Sequence, residues 1–316
     1  MPQAETRWSD VDALDPPPDG RRVRVPGRGT FYVRDIPGPP GAPTLVLIHG
    51  WLATGGLNWF RVFEPLSRHF RVIAPDVRGH GRGLKTWRRF RLEDCADDIA
   101  AILRRMAAGP AIVAGYSMGG PISQLLWKRH SPLVSGLVQC ATSDRLTPGP
   151  VERVALSSFS MALGGATRLG SLPAALPRWI ARQVRGGPES DGPVDATAWA
   201  AGEVARHDLR MVIEAGYAIS QYDGRGFTGS IKVPTAVVMT LHDRAVLESS
   251  QRSMARRIPA ARIFPIPDGH IACSSESFAE PLLRACLDVS SRIEHSRGSR
   301  PRPAAQTQSA APPSIR

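Results

Sequence analysis

Apolar residues along this chain come in two spacings. Short runs with hardly a polar break recur at Thr44–Ile48, 70–74, 110–114, 133–139 and Thr235–Thr240, the pattern of strands covered on both faces. Between them, over 57–69 and 91–106, apolar residues return every three or four positions, as amphipathic helices require. The stretch 91–106 has Glu93 and Asp94 near its start and Arg104 and Arg105 near its end, which suits a helix dipole. Two alternating segments, Arg21–Val25 and 30–35, come first and predict strands joined by the turn Pro26-Gly27-Arg28-Gly29. Strands that alternate with helices predict an α/β fold, with a parallel sheet and helices on both faces.

The alternation stops after Asp144. From 148 to 229 only helical patterns are found: two helices within 157–185, and a mostly helical stretch over 194–222. Strand spacing resumes at Thr235–Thr240 and 261–266, and a last helix is expected over 275–293. An all-helical insertion between strands of one sheet reads as a lid. The predicted organisation is an N-terminal extension over 1–20, a core made of 21–147 and 230–295, a helical cap over 148–229, and a disordered basic tail over 296–316 that is rich in Pro, Ser, Ala and Arg.

At 316 residues the chain can bury a large core. Its formal charge of +12 is carried almost wholly by arginine, since lysine occurs only at Lys85, Lys128 and Lys232. Arginine is plentiful together with alanine, proline and glycine, as in GC-rich coding sequence. A nucleic-acid surface would interleave basic and aromatic residues on one face. Trp87-Arg88-Arg89-Phe90-Arg91 alone does so, and it leads straight into a helix, so no nucleic-acid partner is expected. Cys95, Cys140, Cys273 and Cys286 form no C-x-x-C pair, and Cys140 lies in an apolar run. Buried free thiols, no apolar leader segment and no run of membrane-spanning length predict a soluble, cytoplasmic protein. With no P-loop, dinucleotide fingerprint or zinc spacing, neither cofactor nor metal is expected. Nothing in the sequence bears on oligomeric state.

Gly115-Tyr116-Ser117-Met118-Gly119 follows the apolar run 110–114 directly. It reads as a strand that turns sharply into a helix, with a serine at the corner and glycines where side chains would collide. Such a serine needs a base, and the base an orienting acid. Asp243, in Leu241-His242-Asp243-Arg244, and His270, in Pro267-Asp268-Gly269-His270, each follow a predicted strand. All three fall on the carboxyl edge of the sheet, where open parallel sheets bind ligands. Asp144 follows the preceding strand and is the alternative acid. His80, in a glycine-rich turn, reads as structural, and Asp268 as a shaper of its loop. An oxyanion needs two fixed donors. The backbone N–H of Met118 at the helix start is one, and that of Trp51, in His49-Gly50-Trp51 after the strand Thr44–Ile48, is the other.

Leu47-Ile48-His49-Gly50-Trp51, Asp76-Val77-Arg78-Gly79-His80-Gly81, Gly115-Tyr116-Ser117-Met118-Gly119-Gly120-Pro121, Leu241-His242-Asp243 and Asp268-Gly269-His270 fall in one order over about residues 20 to 295. In this the chain resembles serine hydrolases of the α/β-hydrolase superfamily. The resemblance implies an eight-stranded, mostly parallel sheet, a helical cap, and Ser117 as nucleophile, Asp243 as acid and His270 as base. The segment from Arg206-His207-Asp208 through Gln221-Tyr222-Asp223, followed by Val233-Pro234-Thr235, is similar to capped hydrolases of high-GC actinobacteria. Serine at the corner sets aside the aspartate-nucleophile branches, and the absence of His-Gly-Gly-Gly sets aside another esterase branch. The expected activity is cleavage of an apolar carboxylic ester, with Leu156, Phe159, Met161, Leu163, Trp179 and Trp199 offered by the cap. Perhydrolysis, carbon–carbon or amide hydrolysis on the same residues, or a non-catalytic receptor, are the alternatives.

Overall fold

The computed structural model describes residues 17–147, 149, scattered residues between 154 and 168, and 196–298. Eight strands form one sheet: β1 (Arg21–Val25), β2 (Gly29–Ile36), β3 (Thr44–Ile48), β4 (Arg71–Pro75), β5 (Ala111–Tyr116), β6 (Val134–Cys140), β7 (Thr235–Thr240) and β8 (Arg262–Ile266). Their spatial order is β1-β2-β4-β3-β5-β6-β7-β8. The β1–β2 and β2–β4 pairs are antiparallel, and every other pair is parallel.

Side chains alternate across each inner strand, so successive residues enter different cores. In β3, Val46 and Ile48 join Ile99, Leu103 and Ile122 on one face. Leu45 and Leu47 join Trp59, Leu66, Leu282 and Val289 on the other. The first face is covered by α3 (Leu92–Arg105) and α4 (Gly119–His130). The second is covered by α1 (Gly55–Trp59), α2 (Phe63–Ser67) and α9 (Ala279–Gly298). This double cover explains why β3, β5 and β7 read as unbroken apolar runs, whereas the edge strand β1 alternates. All four cysteines are free and buried, and burial raises each thiol pKa.

Between β6 and β7 in the chain come α5 (Ala196–Val204), α6 (Leu209–Gln221) and α7 (Arg225–Thr228). The expected helical stretch over 194–222 is thus two helices, parted at Asp208, whose side chain caps α6 by accepting from Met211 N–H at 3.1 Å. Of the expectation for 157–185, the described residues between 157 and 168 are helical, and the rest lies outside the described residues.

Three boundaries differ from the sequence reading. The helix expected over 57–69 is two short ones, because Pro65 has no N–H to close a bond to Arg61; Val62 N–H instead meets Trp59 O at 3.0 Å in a tighter turn. The last helix begins at Ala279 rather than 275, after a 3-10 turn at Glu276–Phe278, because Pro281 is tolerated only in a first turn. It runs on to Gly298, so the first residues assigned to the tail are helical, while 299–316 lie outside the described residues. A further helix, α8 (Glu248–Arg257), escapes the apolar pattern because only two of its ten residues, Met254 and Ala255, are apolar, and the third residue on its buried side is Gln251.

Candidate active site

Ser117 sits between β5 and α4 with φ +49°, a left-handed conformation for a residue with a side chain. It is held there by its neighbours. Its N–H donates to Cys140 O at 2.9 Å, and its carbonyl accepts from Thr142 Oγ1 at 2.8 Å and from Gly120 N–H at 2.9 Å. The flanking glycines are required by contact. A Cβ on Gly115 would lie 2.2 Å from Gly119 O, and one on Gly119 would lie 2.1 Å from Ile48 O.

Three side chains distant in sequence meet at this corner. Ser117 Oγ lies 2.9 Å from His270 Nε2, and His270 Nδ1 lies 2.8 Å from Asp243 Oδ2. A carboxylate can only accept, so Nδ1 carries the proton and Nε2 is free to accept from the serine hydroxyl. Asp243 is 5% exposed and fully partnered. Its Oδ1 accepts from Ala245 N–H at 2.9 Å and Val246 N–H at 2.8 Å, and Oδ2 also accepts from Thr240 Oγ1 at 2.8 Å. Gln251 Nε2 donates to Thr240 Oγ1 and to Val246 O, each at 2.8 Å, so α8 steadies the loop that carries Asp243. The histidine's own loop is tied to the sheet by Tyr116, whose hydroxyl donates to His270 O at 2.7 Å.

Asp144, the alternative acid, is not brought to His270. Its buried carboxylate accepts from Thr228 Oγ1 at 2.9 Å and from Arg257 Nη1. It binds α7 and α8 to the loop after β6. His80 is buried, with Nδ1 3.1 Å from Arg78 O, as the structural reading expects.

The loop after β3 is pressed against the serine: a Cβ on Gly50 would lie 3.3 Å from Ser117 Cβ. Both polar groups of Gly50 are held. Its N–H donates to Asn58 Oδ1 at 2.8 Å. His49 Nε2 accepts from Val77 N–H at 2.9 Å, so its Nδ1 carries the proton and donates to Gly50 O at 2.8 Å. In a trans peptide the next N–H points opposite to the held carbonyl, and that N–H belongs to Trp51. Among the described residues, neither Trp51 N–H nor Met118 N–H has a hydrogen-bond acceptor.

Residues 43–277 match the family model described as alpha/beta hydrolase fold. The chain belongs to this family. It is 29% identical over 231 residues to a pimeloyl-[acyl-carrier protein] methyl ester esterase of Chromobacterium violaceum, covering 71% of this chain and 85% of that one. It is 31% identical over 242 residues to the magnesium-chelatase 30 kDa subunit of Rhodobacter capsulatus, covering 74% and 82%. The crystal structure of an enol-lactonase from Burkholderia xenovorans shares the fold with a TM-score of 0.67 at 23% identity, covering 86% of this chain and 100% of that one.

In this α/β-hydrolase the inserted helices are joined to the loops at the carboxyl edge by buried charge. Glu203 of α5, 1% exposed, accepts from Thr54 Oγ1 at 2.9 Å and pairs with Arg82 at 2.8 Å. Arg34 lies 3.4 Å from Asp76 and 4.0 Å from the same glutamate. Of the apolar residues expected under a cap, Leu156, Phe159 and Trp179 lie outside the described residues. Met161 is exposed, and Trp199 packs edge-on to Phe60 with ring centres 5.8 Å apart. The sequence reading missed Asn58, Tyr116, Glu203, Thr240 and Gln251. A polar residue inside an apolar stretch, as in Leu57-Asn58-Trp59, was the one local signal.

Three buried histidines, His49, His80 and His207, lie side by side with their rings tilted to one another, neighbouring ring centres 5.5 and 5.3 Å apart. Burial lowers all three pKa values, that of His49 to about 4. As pH falls below about 6.5, the unfolded chain takes up protons that the folded protein refuses, so stability is lost between pH 6.5 and 4. His49 alone accounts for about 3 kcal/mol of that loss. Urea unfolding midpoints should therefore drop steeply from pH 7 to pH 4.5, and His80→Phe should flatten the slope.

Among the described residues no helix is long and apolar enough to cross a membrane, and no cluster of His, Cys, Asp or Glu could hold a metal.

Proposed function

We propose that this hydrolase cleaves carboxylic esters through an acyl-enzyme on Ser117. The observation that carries the reading is the continuous line Ser117 Oγ–His270 Nε2–Asp243 Oδ2, at 2.9 and 2.8 Å, beside unbonded N–H groups at Met118 and Trp51. His270 takes the serine proton as Oγ attacks the ester carbonyl. The Met118 and Trp51 N–H groups hold the resulting oxyanion. Collapse of the tetrahedral intermediate expels the alcohol, which takes its proton from His270. Water, activated by the same imidazole, then attacks the acyl-enzyme and releases the acid. Asp243 keeps the imidazole in the productive tautomer and stabilises its cationic form without becoming protonated.

In this reading Ser117, His270 and Asp243 are the catalytic side chains, and 148–229 is a cap over them. The substrate is a small apolar ester, in keeping with the ester chemistry named for relatives such as the pimeloyl-[acyl-carrier protein] methyl ester esterase. No cofactor enters any step, and a cytoplasmic location agrees with four buried free thiols. Turnover of p-nitrophenyl esters of graded acyl length tests the reading. Wild type should show a burst equal to the enzyme concentration and label with a fluorophosphonate, and Ser117→Ala should lose both. Equal turnover by the two proteins would reject it.

A further inference from the structure

The loop that carries the Trp51 N–H is held from two sides. On the core side, Asn58 and His49 fix Gly50 at 2.8 Å each. On the other side the holders belong to the inserted helices. Trp51 Nε1 donates to Val212 O of α6 at 2.8 Å. The indole lies against α6 where Gly216 leaves room, since a Cβ there would be 2.9 Å from Trp51 Cζ2. The next residue is held too. His207, in the turn between α5 and α6, accepts from Gly81 N–H through Nδ1 at 2.7 Å, so its Nε2 carries the proton and donates to Leu52 O at 3.2 Å.

Between these holders the backbone is strained. Leu52 has φ +61° although it has a branched side chain, and that side chain is 49% exposed. No packing of its own explains the conformation, which persists because bonds on both sides of it over-determine the loop. A peptide held only from the core could rotate at residues 51 and 52. Met118 N–H needs no such help, because it is built into the start of α4.

We propose that the Trp51 side chain, docked on α6 at Val212 and Gly216, is a positioning group that sets the oxyanion donor on its own backbone, so that α6 forms part of the catalytic geometry. The proposal rests on the ester-hydrolase reading above. The inserted helices then do more than shape a pocket: a displacement of α6 is passed through one side chain to the atom that stabilises the transition state.

The test uses the full chain with wild type, Trp51→Phe, which keeps a ring but loses the indole N–H, and Gly216→Ala, which crowds the indole while favouring the helix. Rates are expressed per active site counted by fluorophosphonate, so unfolded protein does not enter. Complete loss of an oxyanion donor lowers kcat by about 100- to 1,000-fold, so a misplaced one should lower it by about 10- to 100-fold. KM should stay within about threefold, because the ground state gains little from this donor. A trifluoromethyl ketone, whose adduct carries the oxyanion, should lose affinity by the same factor as kcat. Wild-type kcat and inhibitor affinity in both variants would overturn the proposal while leaving the ester reading intact. A wild type without Ser117-dependent turnover would overturn both.

Discussion

Asp243→Asn should lower kcat for an ester by about 10,000-fold while KM changes little. The surroundings of this carboxylate dictate how an amide would sit. Oδ1 faces two backbone donors, Ala245 N–H and Val246 N–H, at 2.9 and 2.8 Å. Only the amide oxygen can occupy that place. The amide NH2 must then take the place of Oδ2, which lies 2.8 Å from His270 Nδ1. An NH2 group donates, so Nδ1 becomes an acceptor and the imidazole proton moves to Nε2. Nε2 can then no longer accept the proton of Ser117. The change removes a charge but hardly any volume, so the protein should fold normally. Steady-state kinetics beside a fluorophosphonate labelling rate check it, since both steps need the same base. A loss of tenfold or less would mean that Asp243 does not orient the base.

Gly119→Ala should destabilise the fold by about 3 kcal/mol or more, among the largest effects of any single methyl group in this chain. The new Cβ would lie 2.1 Å from Ile48 O and 2.8 Å from Ile48 C. These are backbone atoms of β3, which pairs with β4 and β5, so no rotamer change can relieve the contact. Relief requires α4 to move away from the sheet, which also carries Met118 and Ser117 out of line. Gly226→Ala is the matched control. Nothing lies within 4 Å of a Cβ at that position on α7, and alanine should be neutral or stabilise by up to about 1 kcal/mol there. Urea unfolding of the three proteins gives the comparison directly. Equal midpoints for Gly119→Ala and wild type would mean that the corner is not as tightly packed as described.

The corner and its partners were legible for a physical reason. A strained serine between two elements can exist only where glycines clear the space, and glycines at such positions are visible in a sequence. The carboxyl edge of a parallel sheet gathers whatever follows each strand, so His270 and the pair of candidate acids, Asp243 and Asp144, could be named from strand endings alone. The second tier was not legible. Thr240 and Gln251 act on Asp243 from a strand end and from a helix whose buried side includes a glutamine. Asn58 matters because its side chain reaches Gly50 eight residues earlier, which depends on how α1 folds back. Glu203 meets Thr54, 149 residues away in sequence, and no local pattern reports such a contact.

Breakers within the helices show the same division. Pro65 and Pro281 were present in the sequence, yet apolar periodicity ran through both and hid the boundaries they impose.

Sequence by itself determined the alternation of strands and helices, the helices that precede β7, the serine corner, and the gathering of His270 and two candidate acids at the same edge of the sheet. Each follows from local spacing: period two or unbroken runs for strands, period 3.6 for helices, glycine where a Cβ has no room. Tertiary structure alone decided between Asp243 and Asp144 as the neighbour of His270, since both follow strands and only the packing of α7 and α8 occupies one of them. It also decided how Gly50, Trp51 and Leu52 are held, because those bonds join segments far apart in the chain, and the free energy that selects them belongs to the packed whole.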